Sequence, residues 1–146
     1  MLPIAGRFAA DFPDYSCEQL FALAVDIERY PTFIPWCREA RIVKRDGMVL
    51  EVDNHFGAGP LDASFHTRAV AEPPNRLDIT SDHGPFSAFQ LVWTFTPLNE
   101  SGCRVVAEYS MVLRSPLVHG LARLTQPEAE RKIVQRFRER ALAVYG

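Results

Sequence analysis

The sequence has few cysteines and no long apolar run. Only Cys17, Cys37 and Cys103 occur in 146 residues, and their odd number and wide spacing argue against a disulfide framework and favour a reducing compartment. The longest uncharged stretch, residues 83–99, contains polar side chains and is shorter than the roughly 20 residues that a membrane-spanning helix needs. The first residues lack the basic start and apolar run of a secretory signal. We therefore expect a cytoplasmic protein, with a peripheral contact at the inner face of the membrane as the only membrane association.

An excess of one charge and the common catalytic motifs are also missing. Sixteen basic residues face 18 acidic ones, a net charge of −2, which argues against a protein that coats nucleic acid, so we expect no DNA partner. The four histidines and three cysteines include no HxxxH or CxxC spacing, so no metal site is predicted. No GxSxG motif, phosphate loop or dinucleotide fingerprint occurs either, and no catalytic residue is predicted.

The sequence does contain many short alternating segments. Hydrophobic residues make up 47% of the chain, enough for a real core in one domain over residues 1–146. The alternation of apolar and polar residues predicts a first strand at 4–12. This strand and the later ones each have one apolar face, which is typical of an antiparallel meander. Six further strands are predicted at 38–45, 48–56, 61–70, 76–81, 87–96 and 104–113.

Helices are predicted after the first strand and at the end of the chain. Ser16 and Gln19 form a capping-box pattern that opens a helix at 16–28, after which Pro31 and Pro35 leave room for a short turn at most. Pro116 is suited to the first position of the terminal helix.

Pro127 interrupts the terminal helix pattern. Thr125 and Glu128 resemble a second capping box around it, so we expect a kink or a fresh start there. Residues 116–146 carry six basic and three acidic residues, a net of +3, which leaves −5 for the rest. Apolar residues recur at helical spacing on both sides of the proline: Leu117, Leu121 and Leu124 before it, and Ile133, Val134, Phe137, Ala141 and Val144 after it.

A sheet with one apolar face must be covered, and only the terminal helix is long enough, about 45 Å for some 30 residues. A curved sheet around one helix leaves a space, which would suit a flat or greasy ligand. The alternative is that the same side chains simply form a solid core. The predicted lining is Phe33, Trp36, Val52, Phe56, Phe65, Phe89, Leu91, Trp93, Tyr109, Met111, Leu117, Leu121, Leu124 and Phe137.

The basic residues of the terminal helix also have two interpretations. Arg131, Arg136 and Arg138 form either a plain solvated face or a surface for anionic lipid headgroups or ribosomal RNA.

Three groups of residues resemble the coenzyme Q-binding protein family, which is similar to the bacterial ribosome association toxins. Both groups belong to the START-like superfamily of polyketide cyclases and lipid-transport proteins. The resemblance covers essentially the whole chain. It is carried by Tyr15-Ser16, Gln19-Leu20-Phe21, Asp26 and the run Tyr30-Pro31-Thr32-Phe33-Ile34-Pro35-Trp36-Cys37; by Gly84-Pro85-Phe86, Trp93, Phe95 and Pro97-Leu98; and by Val134, Phe137, Arg140, Ala141 and Val144-Tyr145.

The resemblance implies an α+β helix-grip fold, in which a curved seven-stranded antiparallel sheet wraps a long C-terminal helix and short helices follow the first strand. It implies that ubiquinone or a similar hydrophobic polyprenyl lipid binds between sheet and helix. No chemistry is done on the lipid and no cofactor is required, and the protein supports respiratory electron transport as a carrier.

Two other functions stay open. A toxin-like protein would contact the large ribosomal subunit and block the association of subunits. A polyketide aromatase or cyclase would need polar groups inside the cavity, where the predicted inward residues are nearly all apolar apart from Asn54, Thr67 and Tyr109. The chain also departs from the family pattern, with His83 where an acidic residue usually precedes Gly84 and with Pro127 in a helix that is usually continuous.

Overall fold

The computed structural model describes residues 2–58 and 61–146, which form one antiparallel sheet and two α-helices. The seven strands lie in the order β1-β7-β6-β5-β4-β3-β2, so the first strand pairs with the last. This confirms the α+β helix-grip architecture. The elements are β1 (Ile4–Phe12), α1 (Cys17–Val25), a 3₁₀ helix (Ile27–Thr32), β2 (Cys37–Asp46), β3 (Val49–Ala58), β4 (Leu61–Glu72), β5 (Arg76–Ser81), β6 (Phe86–Leu98), β7 (Gly102–Leu113) and α2 (Pro116–Tyr145).

The segment after β1 begins as predicted but ends earlier. The Gln19 amide donates to Ser16 Oγ at 3.1 Å, and the Ser16 amide donates to Gln19 Oε1 at 2.8 Å, which completes the capping box. The α-helix ends at Val25, and the 3₁₀ helix that follows contains Pro31. One face of α1 then packs on the sheet through buried residues such as Leu20 and Phe21.

The inner face of the sheet carries the core. Val52, Ala69, Leu77 and Trp93 are at most 2% exposed, while their sequence neighbours point to the outer face, as the two-residue period of a strand requires. The α1 and α2 helices cover this face.

Of the two alternatives expected at Pro127, a kink or a fresh start, the fresh start is wrong, because α2 continues through Pro127 from Pro116 to Tyr145. Thr125 does not cap a new helix. Its hydroxyl donates to the carbonyl oxygens of Leu121 and Ala122, at 3.1 and 3.2 Å, within the same helix. The start of α2 is as predicted: Ser115 Oγ accepts from the Val118 amide at 3.3 Å.

The continuity of α2 decides which side chains face the sheet. Along a continuous helix, the directions of the Leu121 and Phe137 side chains differ by about 160° around the helix axis. Because Phe137 is buried against the sheet, Leu121 must lie on the opposite side, with Leu117 and Leu124. No helix among the described residues is long and apolar enough to cross a membrane.

Candidate ligand-binding cleft

The C-terminal half of α2 lies over a tightly packed part of the sheet, which we call the packed half. The Phe137 ring lies 5.6 Å from the rings of Trp93 and Phe33 and 5.7 Å from that of Phe12. All four side chains are at most 3% exposed. The void between sheet and helix here is about 10 Å³, room for one water at most. It is lined by Phe8, Ala10, Phe12, Trp93, Val105, Ala107, Ile133, Val134 and Phe137.

Two polar groups lie buried at the edge of this packed half. The Tyr30 hydroxyl donates to the Ala24 carbonyl at 2.6 Å, and burial raises the pKa of this phenol well above its ordinary value. The indole N–H of Trp93 has no hydrogen-bond partner that meets normal geometry among the described residues. An unpaired buried N–H of this kind is rare in folded proteins.

The N-terminal half of α2 covers a looser part of the sheet, which we call the open half. A buried cluster of Phe65, Phe86 and Leu113 lies there. Phe56, Phe89 and Met111 pack on this cluster but stay half-buried, as does Leu91 on the adjoining core. The open half therefore presents apolar surface that the protein itself does not fully cover.

Three polar side chains meet between the two halves. The Tyr109 hydroxyl donates to Glu130 Oε2, and Gln126 Nε2 donates to the Ala5 carbonyl at 2.9 Å. Burial, followed by the hydrogen bond to Glu130, raises the pKa of Tyr109, and a hydrogen bond from the Gln126 side chain opposes part of this rise. Tyr109, Gln126 and Glu130 are all half-buried.

Asn54 and Thr67 lie on the inner face as predicted, and both are buried. Asn54 Nδ2 donates to Thr67 Oγ1 at 3.0 Å and approaches the Phe65 carbonyl oxygen at 3.3 Å. These contacts occupy the amide nitrogen of Asn54 within the sheet.

The structure sorts the fourteen predicted lining residues into three groups. Phe33, Val52, Phe65, Trp93 and Phe137 are buried. The half-buried residues are Phe56, Phe89, Leu91, Tyr109 and Met111. Four lie elsewhere than predicted, because they are solvent-exposed: Trp36 (40%), Leu117 (74%), Leu121 (42%) and Leu124 (79%).

These four side chains are exposed for different structural reasons. Trp36 has a φ of 66°, which turns the backbone between the 3₁₀ helix and β2, and its carbonyl accepts from the Gly57 amide at 2.9 Å. Leu117, Leu121 and Leu124 form a stripe on the outer side of α2, which we call the leucine stripe.

Sequence reasoning missed Gly6, Gln126 and Glu130. Gln126 and Glu130 share the helical spacing of Ile133 and Phe137, which was the available signal for an inward position. Gly6 pairs with Tyr109 across β1 and β7, a register that no local pattern reveals.

The predicted basic residues lie on the exposed side of α2. Arg131 pairs with Glu128, and Arg138 donates to the Asp11 carbonyl at 3.1 Å and lies 4.7 Å above the Phe12 ring. Arg136 is exposed and makes no salt bridge with a described residue.

The outer face of the sheet carries a separate, polar depression of about 680 Å³. His66 lies in it between two carboxylates, with Nε2 2.5 Å from Glu51 and Nδ1 3.0 Å from Asp53. Hydrogen bonds to Asp53 and Glu51 raise the pKa of this imidazole. His83 lines the same depression, and its Nδ1 accepts from the His66 amide at 3.2 Å. No group of three metal-ligating side chains was found among the described residues.

Comparison with known proteins identifies the family. The family model for polyketide cyclase / dehydrase and lipid transport matches residues 13–138, most of the chain. The chain belongs to this family. Proteins similar to it include the ribosome association toxin RatA of Pseudomonas aeruginosa, 29% identical over 90% of this chain and 92% of that protein. Another is the mitochondrial coenzyme Q-binding protein COQ10 homolog B of Xenopus laevis, 24% identical over 90% of this chain and 56% of that protein.

Solved structures agree with the family's fold. A Thermus thermophilus protein superposes with a TM-score of 0.81 at 23% identity, covering 98% of this chain and all of that one. The aromatase/cyclase Zhui of a Streptomyces superposes with a TM-score of 0.69 at 14% identity, covering 97% of this chain and 87% of that one. At these identities the likeness concerns the polyketide cyclase and lipid-transport fold and not the ligand.

Proposed function

We propose that the protein binds ubiquinone or a similar hydrophobic polyprenyl lipid between the sheet and α2, and carries it without chemical change in support of respiratory electron transport. The observation that carries this proposal is the incompletely covered apolar surface of the open half. There, half-buried apolar side chains face α2 next to three polar ones, the composition typical of a small-molecule site. A void of about 10 Å³ in the packed half leaves no room for a quinone ring, so the ligand belongs in the open half.

The leucine stripe supports delivery at a lipid surface. Its three leucines share one exposed face of α2, and residues 115–127 contain no acidic residue. Arg123 lies beside the stripe, where its guanidinium donates to the Leu2 carbonyl at 3.2 Å. Exposed leucines with neighbouring arginines favour an anionic bilayer surface.

The carrier function is tested by mass spectrometry of lipids extracted from protein purified from a quinone-producing host. We expect ubiquinone to co-purify, and Met111→Ala to lower the amount retained. Met48→Ala is the matched control, because Met48 is 59% exposed and remote from the cleft. Protein without extractable lipid, and without fluorescence quenching on addition of ubiquinone, would contradict the proposal.

The membrane contact is tested separately by flotation with vesicles of phosphatidylglycerol and phosphatidylcholine. The triple variant Leu117→Gln, Leu121→Gln, Leu124→Gln should lose most of its vesicle binding. Leu142→Gln changes an equally exposed leucine near the other end of α2 and should keep it. Equal flotation of both variants would speak against the leucine stripe as the contact.

A ribosome-directed function is the second candidate, favoured by relatives named ribosome association toxin and by the exposed arginines of α2. It predicts co-sedimentation with the large ribosomal subunit and fewer assembled ribosomes on overexpression. Arg136→Glu is the sharpest variant, since Arg136 makes no salt bridge with a described residue. Unchanged ribosome profiles on overexpression would reject this function.

The third candidate is an aromatase or cyclase, since Tyr109 and Glu130 are converging ionisable groups inside the cleft. We favour binding over catalysis because the side chains that line the open half, among them Phe56, Phe89 and Met111, are otherwise apolar. Formation of a cyclised product from a poly-β-ketone thioester would overturn this preference.

A further inference from the structure

Tyr109, Gln126 and Glu130 form a polar cluster between the two halves of the cleft. This cluster has more hydrogen-bond acceptors than donors available to a ligand. The O–H of Tyr109 donates to Glu130. One N–H of Gln126 donates to the Ala5 carbonyl at 2.9 Å. The phenol O–H and this amide N–H are therefore occupied within the protein.

The acceptors of the cluster are not occupied in the same way. A carboxylate has about four acceptor positions on two oxygens, and Tyr109 uses one of them on Glu130 Oε2. Glu130 makes no salt bridge within residues 2–58 and 61–146. The cluster can thus accept hydrogen bonds from a ligand more readily than it can donate them.

Gly6 keeps the space above β1 open for this cluster. A Cβ atom at residue 6 would lie 2.5 Å from the Tyr109 hydroxyl oxygen and 2.6 Å from Glu130 Oε2, closer than such atoms approach. The absence of a side chain here lets a phenol and a carboxylate meet inside an otherwise apolar space.

We infer that Glu130, held by the Tyr109 hydroxyl, forms a headgroup site that prefers the reduced, hydroxyl-bearing form of a quinone lipid over the oxidised form. A hydroquinone ring carries two O–H donors that a carboxylate accepts in charge-assisted hydrogen bonds. A quinone ring presents only acceptor oxygens, which would face the lone pairs of Glu130. This inference rests on the proposed quinone binding and adds its redox preference, with no electron transfer in the protein.

The test compares the binding of decylubiquinol, kept reduced under argon, with that of decylubiquinone by quenching of tryptophan fluorescence. One charge-assisted hydrogen bond corresponds to roughly a tenfold to hundredfold difference in Kd, so wild-type protein should bind the quinol at least about tenfold more tightly. Glu130→Gln should remove the preference, since an amide both donates and accepts. Glu128→Gln, on the exposed side of the same helix, should retain it.

Tyr109→Phe separates a ligand contact from a structural one. It removes the hydroxyl that donates to Glu130 but leaves the carboxylate in place, so we expect it to retain the quinol preference. If the Tyr109–Glu130 bond served only the structure, Tyr109→Phe would abolish the preference as well.

Each outcome decides between the proposals. Equal wild-type affinity for the two forms overturns the redox preference, and a preference that survives in Glu130→Gln overturns its assignment to Glu130; both results leave the carrier function standing. Binding of neither form overturns both. The ratio of the wild-type Kd values for the two forms tests the redox preference even where a variant fails to fold.

Discussion

The two halves of the space between the sheet and α2 use similar residues but pack them differently. In the packed half, Phe137 contacts three aromatic rings and the remaining void is about 10 Å³. In the open half, Phe89 lies 4.9 Å from the Phe86 ring yet stays half-buried. Aromatic content alone therefore does not distinguish a core from a ligand surface.

The difference follows from what α2 presents to each half. In the packed half it presents Ile133, Phe137 and Ala141, and in the open half it presents Val118 and Ala122. Smaller side chains fill less of the space, and the sheet's aromatic residues are left partly uncovered.

Phe137→Ala should have the largest effect, because it removes a fully buried ring from the packed half. We expect the free energy of unfolding to fall by about 3–5 kcal/mol. Phe89→Ala removes a half-buried ring and should cost roughly 1–2 kcal/mol, while lowering lipid retention more. Urea denaturation of both variants gives the comparison, and equal losses of stability would mean that the two halves are packed alike.

Gly6→Ala should have the next largest effect, since its methyl group would collide with the Tyr109–Glu130 pair at the border of the halves. Overpacking of this kind costs about 1–3 kcal/mol. Ala9→Gly is a control on the exposed side of the same strand. Urea denaturation measures both, and an unchanged free energy of unfolding in Gly6→Ala would show that the pair moves aside freely.

His66→Asn should have a smaller effect that depends on pH and leaves both halves intact. The pKa of His66 is raised in the folded protein above about 6.5 when unfolded. The ion pairs of His66 therefore contribute fully to the free energy of unfolding below about pH 6.5. This contribution is lost as the pH rises through the pKa of His66 in the folded protein. Because the side chain is 38% exposed, we expect less than about 1 kcal/mol.

Urea denaturation near pH 6 and near pH 9 measures this effect. The wild type should lose more stability than His66→Asn between the two conditions. A larger loss in the variant would contradict the assignment of the ion pairs to His66.

Leu124→Gln should have the smallest effect on stability, within about 0.5 kcal/mol, since Leu124 is 79% exposed and contributes to neither half. A loss comparable to that of Phe89→Ala would show that the leucine stripe is covered by protein in solution.

Local patterns predicted much of the fold. The capping box at Ser16 and the strand at 76–81 appear as predicted, because each depends on residues close together in sequence. The leucine stripe was placed wrongly for one reason. A helix that restarted at Pro127 could turn both Leu121 and Phe137 inward, whereas a continuous helix holds them on opposite sides.

The candidate site was less predictable. Tyr109 was identified from its strand position, but its partner Glu130 and the space provided by Gly6 come from β1, β7 and α2 meeting in the fold. Such tertiary pairings lie outside any short sequence window.

The pairing of β1 with β7 also sets an order of events during synthesis. Ile4 lies opposite Met111, so β1, the first of the seven described strands to be synthesised, must wait for more than a hundred later residues before it meets its partner among them. Until then its apolar face has no cover, and such long-range pairings form slowly. The apolar face of β1 is therefore exposed through most of the synthesis of this domain.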